Sequence, residues 1–176
     1  MITSRKSLST LATVLLLNLL AISGSHAHLM VPQHGSLNVV NDAIFMVLSL
    51  PVSGFEGIDD DRDGLLSLAE LNTHRKAMIG DISRLVSLSN PAEKVSLEGI
   101  MLSPVAPHDN PKAPATHIVA MGKFTIKNVD ELSYFTLAIF GDKAEEQVMK
   151  MTVKRKSDGL NRSFELTPNK NVEVLF

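Results

Sequence analysis

The residues whose types and spacing could bind a ligand form one run of twelve, which begins at Asp59 and ends at Glu70. Acidic residues occupy every second position at Asp59, Asp61 and Asp63. Gly64 follows them, and because it lacks a Cβ it would allow a sharp turn of the chain at that point. Carboxylates crowded into so short a stretch repel one another unless a cation lies between them. Hard divalent cations such as Ca2+ take about 6–8 oxygen ligands. The spacing therefore predicts a site for such an ion.

The same twelve residues match the pattern D-x-[DN]-x-[DN]-G-x5-E at every specified position, and they resemble the calcium-binding loop of the EF-hand family. The resemblance implies three side-chain carboxylate ligands, one backbone carbonyl, one ligand acting through water and one bidentate carboxylate. In that order these are Asp59, Asp61 and Asp63, then Leu65, Ser67 and Glu70.

The residues on either side of the loop depart from a full EF-hand. Pro51, Gly54 and Gly57 precede it and leave room for a single helical turn at most, whereas an EF-hand has a long helix there. On the exit side, residues 67–70 form a capping box, so Glu70 is expected to serve both the helix start and the metal. We expect an insertion of loop and helix at about 51–83.

The exit helix should carry an apolar face, because hydrophobic residues recur along it at helical spacing. These residues are Leu68, Leu71, Met78, Ile79 and Ile82. His74 is predicted to be a surface or packing residue of this helix. Gly80 either ends the helix or weakens it.

EF-hand loops commonly work in pairs that are joined through loop position eight, which here is Leu66. No other segment of the sequence matches the loop. We therefore expect Leu66 to pack either on the host domain or on another molecule.

The N-terminal residues have the pattern of a secretory signal peptide over 1–27. Arg5 and Lys6 precede an apolar run at 8–22, and a small-x-small cleavage pattern ends at Ala27. A membrane-spanning anchor is the alternative, but it needs about 20 mostly apolar residues. We expect cleavage without a remaining membrane anchor, and hence one exported domain at 28–176, periplasmic in a Gram-negative cell and otherwise secreted.

The amino-acid composition and the absence of known motifs argue against several classes of function. The chain has no cysteine, which excludes disulfides and a cysteine nucleophile. Removal of Arg5 and Lys6 would leave 15 of the 17 basic residues against 19 acidic ones, without a basic cluster typical of nucleic-acid binding. Nucleophile-elbow, zinc-protease, P-loop and dinucleotide motifs are absent from the sequence, so we expect a binding protein rather than an enzyme.

Short β-rich runs separated by turn residues predict a mainly β protein, an antiparallel β-sandwich of nine strands, with immunoglobulin-like topology as one form of it. The predicted strands cover residues 36–40, 43–50, 84–89, 95–102, 117–126, 134–140, 147–156, 160–167 and 172–175. The run at 44–50 is nearly all apolar, which indicates a strand buried on both faces.

Two other functions remain open. Cleavage after Ala27 would make His28 the free N-terminus, which resembles periplasmic copper carriers, and imidazole suits Cu(II). His34, His108 and His117 are the candidate second ligands. The other alternative is a calcium-dependent adhesion or assembly module in which Leu66 and the helix face a protein partner, which the sequence does not identify.

Overall fold

The computed structural model describes residues 31–107, 110, 113–128 and 132–176, and it consists of two β-sheets and one α-helix. The mainly β architecture and its single helix were predicted. Within these residues there are ten strands: β1 His34–Val40, β2 Ala43–Pro51, β3 Val86–Ser89, β4 Lys94–Val95, β5 Leu97–Val105, β6 His117–Thr125, β7 Tyr134–Leu137, β8 Met149–Arg155, β9 Leu160–Leu166 and β10 Val172–Val174. The helix, α1, spans Leu68–Leu85. Each of the nine predicted strands overlaps an observed one. The count rises to ten because the predicted strand 95–102 is divided, with residue 95 in β4 and residues 97–102 in β5.

The larger sheet has the strand order β5-β6-β2-β1-β8-β9, and the smaller has the order β10-β7-β3-β4. All the pairs are antiparallel except β1 with β8, where His34 lies opposite Lys150 and Val39 opposite Arg155. This one parallel pair departs from the purely antiparallel expectation. It joins the first strand to a strand more than a hundred residues later, so no turn signal in the sequence could have indicated it.

The core lies between the two sheets. The contact between Phe124 and Phe135 is an example of packing across it. Phe124 belongs to β6 of the larger sheet and Phe135 to β7 of the smaller one. Both rings are fully buried, and they meet edge to face with their centroids 6.4 Å apart. This arrangement is the sandwich predicted from the strand spacing.

Strand β2 was expected to be buried on both faces, and this is true of only part of it. Phe45 is 46% exposed, so the first half of the strand buries only one face. From Leu48 to Pro51 every residue is buried, as the apolar run predicted for the whole strand.

Helix α1 begins at its predicted cap but continues past its predicted end. Its core contacts come from Leu71, Met78 and Ile82, which are buried, whereas Leu68 is 69% exposed, contrary to expectation. Leu68 is the first helical residue and precedes the turn that meets the core. The helix also runs through Gly80 to Leu85, so the next strand starts at Val86 and not at residue 84.

The predicted signal peptide at 1–27 lies outside the described residues. Among the residues that the structure describes, α1 is the only α-helix. It is too polar to span a membrane.

Candidate metal centre

The acidic loop follows directly from the larger sheet. β2 ends at Pro51, a 3-10 turn covers Val52–Gly54, and the buried side chains of Phe55 and Ile58 then anchor the chain. One short turn therefore stands where an EF-hand has its entering helix, as Pro51 and the glycines predicted.

Asp59, Asp61 and Asp63 converge on one point. Each offers a carboxylate oxygen, and these oxygens lie within 4.8 Å of one another. Among the described residues, they form the single group of three or more potential metal-ligating side chains. Oxygen donors at this spacing suit a hard cation.

Backbone amides of the loop hold these carboxylates in place. The Asp63 amide donates to Asp59 Oδ1 and to Asp61 Oδ1, both at 3.2 Å. The Gly64 amide donates to Asp59 Oδ2 at 2.8 Å, and the Leu65 amide donates to Asp63 Oδ1 at 2.8 Å. The loop thus wraps its own backbone around the carboxylates and turns their oxygens to a common side.

The sharp turn in the middle of the loop requires Gly64. Its φ of +79° lies in the left-handed region, where a Cβ is unfavourable. Arg62, two residues earlier, is also left-handed with a φ of +63°. This conformation lets the Gly64 amide reach back to Asp59, the first residue of the loop.

The pKa of Asp61 is affected by the other carboxylates of the loop. The hydrogen bond from the Asp63 amide lowers its pKa, but desolvation, the negative charges of Asp63 and Glu70 and the contact with Asp59 together outweigh that bond. The net result is a pKa raised above the ordinary 3.8. Desolvation and the proximity of other carboxylates thus disfavour the charged form of Asp61, and the positive charge of a bound cation would favour it.

Glu70 lies beside the cluster and caps helix α1. Its Oε1 accepts from the Asp60 amide and its Oε2 from the Ser67 amide, both at 2.8 Å, while Ser67 Oγ accepts from the Glu70 amide at 3.2 Å. The predicted capping box is therefore confirmed. The side-chain bond with Ser67, followed by the backbone bonds of Ser67 and Asp60, lowers the pKa of Glu70 from 4.5 to about 2. Glu70 is consequently ionised at neutral pH. Its contribution to folding is complete above about pH 4.5 and is lost progressively as the pH falls from there through about 2.

Leu66, at position eight, packs on the host domain. It is 1% exposed and exchanges two backbone hydrogen bonds with Ala115, which precedes β6. Leu66 was expected to pack either on the host domain or on another molecule, and in the structure it packs on the host domain. The adhesion hypothesis placed Leu66 against a protein partner, and that part of it is wrong.

One contact near the loop was not predicted. His74, on α1 one turn after Glu70, places its Nε2 3.0 and 3.1 Å from the two carboxylate oxygens of Asp60. Asp60 occupies a position that the EF-hand pattern leaves unspecified, so that pattern gave no reason to pair it with another residue. The i, i+4 spacing of Glu70 and His74 was the available signal, because it places both side chains on the helix face beside the loop.

The copper alternative depends on histidines that the structure describes only in part. His28 and His108 lie outside the described residues. His34 Nδ1 donates to the Pro32 carbonyl at 2.9 Å, and His117, at the start of β6, is buried and lies 3.1 Å from Thr116 Oγ1. Copper binding stays a prediction.

Comparison with protein-family models found no family that matches the chain, and comparison with curated proteins found no match either.

Proposed function

We propose that this protein is an exported calcium-binding protein whose single EF-hand-type loop holds Ca2+ as a structural ion. The observation that carries the proposal is the convergence of Asp59, Asp61 and Asp63 within 4.8 Å, in a loop with a left-handed glycine at its sixth position. Ca2+ would supply positive charge where desolvation and the neighbouring carboxylates raise the pKa of Asp61.

The ligand set is taken from the loop positions. Asp59, Asp61 and Asp63 would bind through their carboxylates, Leu65 through its carbonyl and Ser67 through a water molecule. Glu70 would complete the set with a carboxylate that is ionised at neutral pH but is already engaged by two backbone amides. Because binding would compete with these bonds, a weak site of about 10^-4 to 10^-3 M, as in extracellular modules, fits best.

A structural role is favoured over a sensor role by the surroundings of the loop. Sensor EF-hands open a pair of helices to expose an apolar groove. Here a 3-10 turn replaces the first helix, and three apolar residues of α1, Leu71, Met78 and Ile82, are buried in the core. Without an entering helix, binding would stiffen the loop and anchor the start of α1 instead.

Isothermal titration calorimetry of the purified protein tests the proposal. Saturable binding of one Ca2+ with a dissociation constant of about 10^-4 to 10^-3 M is expected, with much weaker heats for Mg2+, which requires a tighter octahedral shell. No uptake of Ca2+ at millimolar concentration would overturn the proposal. A parallel titration with Cu2+ on wild type and His28→Ala, after N-terminal sequencing, decides the copper alternative.

Two variants of Glu70 should separate helix capping from metal binding. Glu70→Gln keeps one acceptor for the capping box but turns an NH2 group towards the second backbone amide, so the melting temperature in EDTA should fall less than in Glu70→Ala, while loss of the charge weakens Ca2+ binding. Glu70→Ala should lower the melting temperature in EDTA and also weaken Ca2+ binding. Thermal unfolding with and without Ca2+ measures both effects. Unaltered Ca2+ binding in both variants would show that Glu70 only caps the helix.

A further inference from the structure

The calcium loop is attached to the sandwich by a two-bond bridge between Leu66 and Ala115. The Leu66 amide donates to the Ala115 carbonyl at 2.9 Å, and the Ala115 amide donates to the Leu66 carbonyl at 2.8 Å. Both residues are buried. The contact joins parts of the chain that are almost fifty residues apart.

This bridge sets the orientation of two peptide planes in the loop. In a trans peptide the carbonyl and the amide hydrogen point in opposite directions. The plane that contains the Leu66 amide also contains the carbonyl of Leu65, the proposed seventh-position ligand. Because the Leu66 amide is fixed on Ala115, the Leu65 carbonyl must point away from Ala115.

The second plane links Ala115 to Glu70. It contains the Leu66 carbonyl, which accepts from Ala115, and the Ser67 amide, which donates to Glu70 Oε2 at 2.8 Å. The backbone of Ala115 therefore holds, through Leu66, the group that positions the Glu70 carboxylate.

Hydrogen bonds of the following residue connect the chain at Ala115 to its surroundings. The next residue, Thr116, donates its amide to the Val105 carbonyl at 3.2 Å and accepts at its own carbonyl from the Val52 amide at 3.4 Å. These bonds connect it to the end of β5 and to the chain just after β2. The loop is thus linked, through Ala115 and Thr116, to one end of the larger sheet.

From this geometry we infer that the backbone of Ala115 is a positioning group for the calcium site, and that calcium occupancy and the conformation at Ala115 are reciprocally coupled. The inference rests on the proposed function. It assigns to a segment just before β6 the role of ordering the two ligands Leu65 and Glu70. Linkage requires that whatever loosens Ala115 weakens Ca2+ binding, and that Ca2+ in turn tightens the bridge.

Hydrogen exchange of the wild-type protein tests the coupling. At a Ca2+ concentration about 100 times the dissociation constant, openings that require release of the ion are suppressed by up to about 100-fold. Exchange at the amides of Leu66 and Ala115 should slow by about tenfold or more. The amide of Leu160, which donates to Asp158 Oδ1 at 3.2 Å in an exposed hairpin, is the control and should not change.

A pair of variants tests the reverse direction. Ala115→Pro removes the amide that donates to Leu66 and should raise the dissociation constant for Ca2+, by up to about tenfold where the whole cost of one unpaired buried carbonyl falls on the ion-bound form. Ala115→Gly keeps this amide and should change the dissociation constant far less, whatever its effect on the melting temperature in EDTA. Equal dissociation constants in wild type and Ala115→Pro would overturn the inference.

The outcomes distinguish this inference from the proposed function. If wild type binds Ca2+ but exchange at Leu66 and Ala115 does not slow, the coupling is refuted and the calcium site stands. If wild type binds no Ca2+, both are refuted. If Ala115→Pro does not fold, the wild-type exchange rates alone decide.

Discussion

Replacement of Asp59 by asparagine is expected to abolish the calcium-dependent rise in melting temperature. In wild type, Ca2+ at about 10–100 times its dissociation constant should stabilise the fold by about 1.4–2.7 kcal/mol. For a domain of this size that corresponds to a rise of about 3–11 °C. Asp59 begins the loop and accepts from the amides of Asp63 and Gly64, so its carboxylate is both a proposed ligand and the point on which the loop closes.

The matched control is Asp60→Asn, which removes one negative charge from the adjacent residue. If the acids of the loop attracted Ca2+ only as a diffuse charge, the two variants would lose the same stabilisation. Coordination by position predicts that Asp60→Asn keeps most of the rise, because Asp60 lies at a position without a proposed ligand and pairs with His74. Scanning fluorimetry in EDTA and in Ca2+ measures both. A full calcium-dependent rise in Asp59→Asn would contradict the assignment.

The parts of the molecule that were predictable from the sequence are those that local chemistry determines. The capping box at Ser67 and Glu70 needs only residues three positions apart, and it was found as predicted. The turn at Gly64 and the short turn after Pro51 are local in the same sense. The side-chain alternation of a strand is local too, and in β8 it places the buried residues Met149, Met151 and Val153 on one face.

The contacts that escaped prediction are those between distant segments. Nothing in the composition of residues 113–116 distinguishes Ala115 as the partner of Leu66, because a backbone bridge leaves no side-chain signature. The parallel pairing of β1 with β8 is set by how the sheets close around the core, not by any turn. Leu68 was placed in the core by its spacing, but spacing gives the face of a helix and not where along the helix the core begins.

The largest effect on stability is expected from Phe124→Ala. Phe124 is fully buried on β6 and meets Phe135 of the opposite sheet. Truncation of a buried phenylalanine typically costs about 3–5 kcal/mol, because apolar contact is lost and a cavity remains. Urea denaturation of the protein measures this loss. Phe45→Ala is the matched control, since Phe45 lies on the neighbouring strand with 46% of its surface exposed, and it should cost far less.

A double-mutant cycle of Phe124 with Phe135 tests whether the two sheets pack against each other. The two rings belong to different sheets, so an interaction energy between them arises only if the sheets pack face to face in solution. An edge-to-face aromatic pair typically contributes about 0.5–1.5 kcal/mol beyond the burial of its area. A coupling energy of that size is expected. Strictly additive losses would mean that the rings do not meet, and the loop and helix would then need another support than the core described here.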